Sequence, residues 1–160
     1  MDDLSKQEEQ AFRYVLEGEK DTALNLLLDL VIKHANKKNF AKAEELRGKI
    51  YDIDSMALSQ IIKANEAIEE AKSGSIDEAH LNIWEELNRT LTKEEENALY
   101  FALQPMDCPA DTVIFQQGQE NSSLYFINGG KLNILYRQGD RELFIKKMGT
   151  GDIAGDDTFF

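Results

Sequence analysis

The stretch that decides the fold runs from Gly149 to Thr158 and reads Gly-Thr-Gly-Asp-Ile-Ala-Gly-Asp-Asp-Thr. Its glycines indicate tight turns, because glycine adopts positive φ angles without a steric penalty. Asp156 and Asp157 follow the last of these glycines. A glycine turn followed by acidic side chains, placed after a series of β segments, predicts a polar loop at the end of a sheet.

The segments before this loop are rich in Val, Ile, Phe and Tyr and are separated by glycine turns. They predict four short strands, at residues 112–116, 124–128, 132–136 and 141–148. Strands of this length, with a turn every eight to twelve residues, are typical of an antiparallel sandwich, barrel or roll.

The chain before residue 105 differs in character, because it contains no proline and few β-rich runs. Apolar residues recur at helical spacing, and polar or glycine-containing breaks separate the runs, so the sequence predicts six helices. Each break supplies a residue that favours the N-cap position, namely Asp21, Asn39, Asp54, Ser75 and Thr92. Thr92 and Glu95 also form a capping-box pattern.

A weak internal repeat lies within the helical part. Residues 38–43 and 74–79 share the order turn, cap, apolar residue and alanine, and the alanines are Ala43 and Ala79. A small residue at this place allows two antiparallel helices to approach closely. The spacing resembles a degenerate tetratricopeptide repeat. Ordinary antiparallel helical pairs produce the same pattern, and both interpretations stay open.

Composition limits the function classes. The 160 residues are 42% hydrophobic and carry a formal net charge of −12. This acidity argues against a nucleic-acid partner or an anionic membrane surface, both of which require clustered Lys and Arg. No segment has the length and apolarity of a membrane span, and the acidic N-terminus is unlike a signal peptide. The single cysteine, Cys108, excludes an internal disulfide and suits a cytoplasmic location.

Three sequence blocks follow Thr92: Ile-Phe-Gln-Gln-Gly at 114–118, Leu-Tyr-Phe-Ile at 124–127 and Gly-Asp-Ile-Ala-Gly-Asp at 151–156. Their order and spacing resemble the cyclic nucleotide-binding domain. The resemblance implies an α+β protein. Residues 1–90 would form a helical, tetratricopeptide-like domain, and residues 91–160 would form the N-terminal part of an antiparallel β-roll.

The resemblance also implies a ligand, cyclic AMP or cyclic GMP, and no other cofactor. Gly155 would allow close backbone approach, Asp156 would accept a hydrogen bond from the ribose 2′-OH, and the amide at Thr158 would face the phosphate. Asp157 stands where the family has an apolar residue. Its charge would repel the phosphate by about 1 to 4 kcal/mol at a distance near 4 Å.

Two function hypotheses follow. The first is a non-enzymatic regulatory module in which ligand binding is relayed through the flanking helices to a protein partner. The alternative is a roll without ligand that serves as an interaction or homodimerisation scaffold. No acid/base pair, nucleophile or metal cluster is visible in the sequence, so an enzyme is not expected. We expect the phosphate-binding arginine beyond Phe160 in a longer protein, or a fragment that self-associates through exposed strand edges.

Overall fold

The structure, a computed structural model of the protein, describes residues 3–155. Contacts between residues divide the chain into two compact units. The helical unit contains the residues up to Ile76 together with Leu91–Ala102, and the strand unit contains Asp77–Thr90 and the residues from Leu103 onward. The chain therefore passes from one unit to the other at three points. The domain boundary at residue 90 stays a prediction.

The helical unit is built around its second helix, which packs against the first, third and fourth. The helices of this unit are α1 (Asp3–Leu16), α2 (Lys20–Asn36), α3 (Phe40–Ile53), α4 (Leu58–Ser73) and α7 (Lys93–Ala102). The largest fully buried apolar side chains of the unit are Leu27, Leu30, Val31, Leu46, Ile50 and Ile68. Burial of each such side chain stabilises the fold by about 1.5–3 kcal/mol, so this core accounts for most of the unit's stability.

The last helix of this unit, α7, is fixed at its start by the predicted capping box. The Thr92 hydroxyl accepts from the backbone N–H of Glu95 at 3.2 Å, and the Glu95 carboxylate accepts from the N–H of Thr92 at 2.8 Å. One turn further on, Asn97 is 1% exposed. It accepts a hydrogen bond from Ser73 Oγ at 3.1 Å and donates to the Glu69 carbonyl at 3.0 Å and to its carboxylate at 2.8 Å. A polar contact therefore docks α7 on α4.

The strand unit begins with two short helices and continues with four described strands. These are α5 (Glu78–Ile83), α6 (Glu85–Asn88), β1 (Tyr125–Phe126), β2 (Lys131–Gln138), β3 (Arg141–Gly149) and β4 (Ile153–Ala154). Two antiparallel pairs form, β1 with β4 and β2 with β3. Tyr125 faces Ala154 in the first pair, and Lys131 faces Gly149 in the second. The register of the second pair shifts between Ile134 and Leu135.

A small core holds the strand unit together. Ile127, Met148 and Ala154 are buried, and four partly buried side chains pack against them: Phe115, Tyr125, Leu132 and Ile134. The core therefore lies where β1, β4 and the inner half of the β2–β3 hairpin meet. In the outer half of the hairpin, Phe144 and Ile145 are exposed. Within residues 3–155, no helix has both the length and the apolarity that crossing a membrane requires.

The predicted fold class, α+β with helices followed by an incomplete antiparallel β-roll, is confirmed. The prediction of a strand at residues 112–116 is wrong, because that segment is irregular and bends at residues 114 and 115. Phe115 still reaches the core, where its ring stacks on Tyr125 with centroids 5.8 Å apart. The segment therefore contributes the Phe115 ring to the core without pairing as a strand, whereas its Val113 is 65% exposed.

The prediction of six helices is also wrong, because seven are described and the fifth predicted helix divides at Trp84. The backbone leaves helical geometry there, at φ −105 and ψ 20. Of the two repeat alanines, Ala43 is fully buried but Ala79 is exposed. Only Ala43 therefore serves the predicted close approach of helices, and the tetratricopeptide resemblance stays a prediction.

Candidate functional site

The turn that leads into the candidate site joins β3 to β4 and is closed by its own hydrogen bonds. The Asp152 carboxylate accepts from the Gly149 N–H at 2.7 Å, and the Asp152 N–H donates to the Gly149 carbonyl at 3.0 Å. Gly151, between them, has φ +89. Backbone bonds also join the turn to the end of β1: Gly151 N–H donates to the Ile127 carbonyl at 2.9 Å, and Ile127 N–H donates to the Asp152 carbonyl at 3.0 Å. The chain therefore leaves the turn in a fixed direction.

Gly155 follows β4 at the point where the candidate binding segment begins. It is buried and has φ +96, which L side chains rarely adopt. A Cβ atom added there would lie 2.5 Å from the Ser123 carbonyl oxygen, 3.0 Å from Asn121 Nδ2 and 3.5 Å from Tyr125 Cδ2. Both the backbone angle and the available space therefore require glycine at this position.

A polar loop that precedes β1 packs against Gly155. Residues 118–122 line an open groove, and the Asn121 side chain bonds to both backbone groups of Ser123. Just before the groove, the Gln117 side chain pairs with the backbone of Arg137: its Oε1 accepts from the Arg137 N–H at 2.8 Å. The Gln117 side chain thus makes the hydrogen bond to β2 that the backbone of a neighbouring strand would otherwise make.

Trp84 supports β1 from the turn between α5 and α6. Its side chain is 4% exposed, and its Nε1–H donates to Asn128 Oδ1 at 2.7 Å. Its ring meets the Phe126 ring edge-on, with centroids 5.0 Å apart. Trp84 therefore serves packing within the strand unit. The bond to Asn128 leaves no local signal in the sequence, because the two residues are far apart along the chain.

Of the four predicted ligand-binding residues, the structure places one. Gly155 lies at the end of β4, whereas Asp156, Asp157 and Thr158 lie outside the described residues. Sequence reasoning missed Asn121 and Ser123, which define the space around Gly155. A signal for Asn121 exists, because asparagine in a polar turn often bonds to the backbone two residues further on. Among residues 3–155, no group of three or more His, Cys, Asp or Glu side chains could hold a metal ion.

Comparison with known proteins agrees with this geometry. Residues 105–160 match the family model of the cyclic nucleotide-binding domain. The match begins in the segment before β1 and includes all four strands and the four predicted ligand-binding residues. No curated protein and no solved structure gives a match to the chain. From Pro105 onward the strand unit is thus similar to this family, and the match does not reach the helical unit before Pro105.

Proposed function

We propose that this protein is a non-enzymatic regulatory module whose strand unit binds a cyclic nucleotide. The family match supports a cyclic nucleotide-binding regulatory module at family level. Domains of this family are typically regulatory rather than catalytic. The observation that carries the proposal is Gly155, because a buried glycine with φ +96 and no space for a Cβ stands where the binding segment begins.

The chemistry of the ligand indicates what the segment that begins at Gly155 would have to supply. A cyclic nucleotide presents a phosphate anion, a ribose 2′-OH and a flat base. Backbone N–H groups bind anions well, and they must approach the ligand closely, as a glycine permits. In this proposal Asp156 accepts from the 2′-OH and the amide at Thr158 faces the phosphate. Asp157 opposes binding by about 1 to 4 kcal/mol unless its carboxylate turns to solvent.

The helical unit would transmit the bound state to a protein partner. The chain connects the two units at three points, and α7, which belongs to the helical unit, directly precedes the matched segment. A ligand shifts a conformational equilibrium only by its difference in affinity for the two states. We therefore expect the partner to bind the helical unit differently with and without nucleotide. A cytoplasmic location belongs to the same proposal, since the exposed free thiol of Cys108 suits a reducing compartment.

Isothermal titration calorimetry with cyclic AMP and cyclic GMP tests the proposal. We expect saturable heat with at least one of them in the wild-type protein. Gly155→Ala should lose it, because the new Cβ would lie 2.5 Å from the Ser123 carbonyl oxygen. Gly139→Ala is the matched control, since Gly139 also has positive φ, +60, but has open space around its Cβ position. If the folded wild-type protein gives no binding heat at millimolar nucleotide, the proposal is refuted.

A second candidate function is an interaction scaffold that binds no nucleotide. Asp157 favours it, because a carboxylate beside the expected phosphate opposes the anion. The same titration separates the two functions. A folded wild-type protein that gives no binding heat supports the scaffold function. The Asp157→Ala variant then shows why binding is absent. Binding heat in this variant would attribute the loss to the Asp157 charge, and no heat would attribute it to the whole site.

A further inference from the structure

The Asn121 side chain closes the loop before β1 in a way that resembles strand pairing. Its Nδ2 donates to the Ser123 carbonyl at 2.8 Å, and its Oδ1 accepts from the Ser123 N–H at 3.3 Å. One planar amide therefore satisfies both backbone groups of the same residue. The side chain is partly buried, and its Oδ1 also lies 3.5 Å from the Tyr125 hydroxyl. Asn121 thus connects the loop to the first residue of β1.

The same groups enclose Gly155. The Ser123 carbonyl oxygen and Asn121 Nδ2 are the two atoms nearest to a Cβ built on Gly155, at 2.5 and 3.0 Å. Tyr125 pairs with Ala154, the residue immediately before Gly155. The backbone at Gly155 is therefore held from two directions, by the β1–β4 pairing and by the loop that Asn121 closes.

We propose that Asn121 is a positioning residue for the backbone at Gly155: its amide holds the Ser123 carbonyl against Gly155, which directly precedes the predicted ligand-binding residues 156–158 in sequence. This inference rests on the proposed function for its consequence in binding, although the positioning itself does not require a ligand. A displacement of about 1 Å in a binding group can reduce its effectiveness on the order of 100-fold. Asn121 therefore controls affinity without a role as a ligand contact.

Two substitutions separate the donor from the acceptor of this amide. Asn121→Ala removes both. Asn121→Asp keeps an acceptor for the Ser123 N–H but places a carboxylate oxygen where Nδ2 donates to the Ser123 carbonyl, and the two oxygens repel each other. If the donor fixes the carbonyl, the Asp variant behaves like the Ala variant. Asn133→Ala is the matched control, because Asn133 is an exposed asparagine on β2 of the same unit.

The experiment combines two readouts on the wild type and these three variants. Amide hydrogen exchange of residues 153–155, followed by NMR without ligand, measures positioning. Calorimetry with cyclic AMP and cyclic GMP measures binding, and Trp84 fluorescence shows that each variant is folded. In both Asn121 variants we expect the amide exchange rates of residues 153–155 to be about ten-fold or more above those of the wild type. We expect the dissociation constant for the nucleotide to rise by the same factor. We expect Asn133→Ala to change neither.

The outcomes distinguish this inference from the proposed function. Unchanged exchange in both Asn121 variants, or wild-type exchange in Asn121→Asp alone, overturns the positioning role of the donor. Faster exchange with unchanged affinity overturns its consequence for binding. Faster exchange in a protein whose wild type binds no nucleotide supports the positioning role and refutes the proposed function.

Discussion

At the scale of single residues, Glu8 shows how charges join helices that are not neighbours in sequence. This carboxylate of α1 lies 2.7 Å from Lys49 Nζ and 3.0 Å from Lys42 Nζ, both on α3. Burial disfavours its charged form, but the hydrogen bonds and charges of Lys49 and Lys42 outweigh burial and lower the pKa of Glu8 below its ordinary 4.5. The charged form is therefore the one that the folded protein stabilises.

A lowered pKa in the folded state predicts a loss of stability in acid. The contribution of Glu8 is fully present above the pKa of the unfolded chain, and it is lost as the pH falls through the lower pKa of the folded protein. We expect Glu8→Gln to lower the free energy of unfolding by about 1 kcal/mol at pH 7. The difference from the wild type should shrink toward pH 3. Urea denaturation followed by circular dichroism at both pH values measures it.

Glu9→Gln is the control for this prediction, because Glu9 is the exposed neighbour on the same helix. It should leave the pH dependence of stability unchanged. A Glu8→Gln variant that keeps the full wild-type decline in stability between pH 7 and pH 3 would show that other carboxylates cause the decline.

The residues that could be predicted from the sequence are those whose partners lie within one turn of chain. Asn39 accepts from the Lys42 N–H at 3.4 Å as the predicted N-cap of α3, and Thr92 forms the predicted box with Glu95. Ser75 does not cap α5, because its hydroxyl donates to the Ala71 carbonyl and Asp77 caps instead. The glycine at position 155 is visible in the sequence, but its cause, the Ser123 carbonyl, belongs to a distant loop that only the folded chain brings near.

At the scale of elements, periodicity identified the long helices, and turn chemistry identified the β2–β3 hairpin. The two strands of the hairpin pair with each other and are adjacent in sequence. The strands predicted at residues 132–136 and 141–148 accordingly lie within β2 and β3. Residues 112–116 have a similar composition, but the described hydrogen bonds to β2 come from the side chain of the next residue, Gln117. A segment forms a strand only when a second segment pairs with its backbone, and the sequence of the first segment does not predict whether such a partner is present.

The docking of α7 on α4 gives the second structural prediction. Asn97 is the fully buried polar side chain between these helices, so Asn97→Ala would leave Ser73 and the Glu69 carboxylate without their partner. A buried polar group that loses its partner costs about 1–3 kcal/mol. We expect the helical unit to lose stability by this amount, measured by urea denaturation and circular dichroism, with faster amide exchange in Lys93–Ala102.

Asn36→Ala provides the comparison, because Asn36 is an exposed asparagine at the end of α2 in the same unit. Asn97→Asp is informative too: it keeps an acceptor for Ser73 but sets a second carboxylate against Glu69, and it should destabilise at least as much as alanine. If Asn97→Ala changes the free energy of unfolding by no more than Asn36→Ala, apolar contacts such as the Phe40–Phe101 pair hold α7 instead.

At the scale of the whole molecule, the two units have cores of unequal size. Among the described residues, the cluster in the helical unit has twelve buried members, from Leu4 to Ile68, whereas the cluster in the strand unit has three. Stability rises with the apolar area removed from water, at roughly 25 cal/mol per Å². The helical unit should therefore be the more stable of the two. Division into units with separate clusters also predicts that a single two-state transition does not describe the unfolding of the chain.

Two optical signals can follow the unfolding of the two units separately, because the only tryptophan, Trp84, is buried in the strand unit. We expect its fluorescence to change at a lower urea concentration than the circular dichroism at 222 nm, which the long helices dominate. Leu27→Ala should lower the free energy of unfolding by about 2–5 kcal/mol in the dichroism transition alone. Ile127→Ala should shift the fluorescence transition alone. If either variant shifts both transitions together, the chain unfolds as one cooperative unit, and the difference in core size does not decide the order.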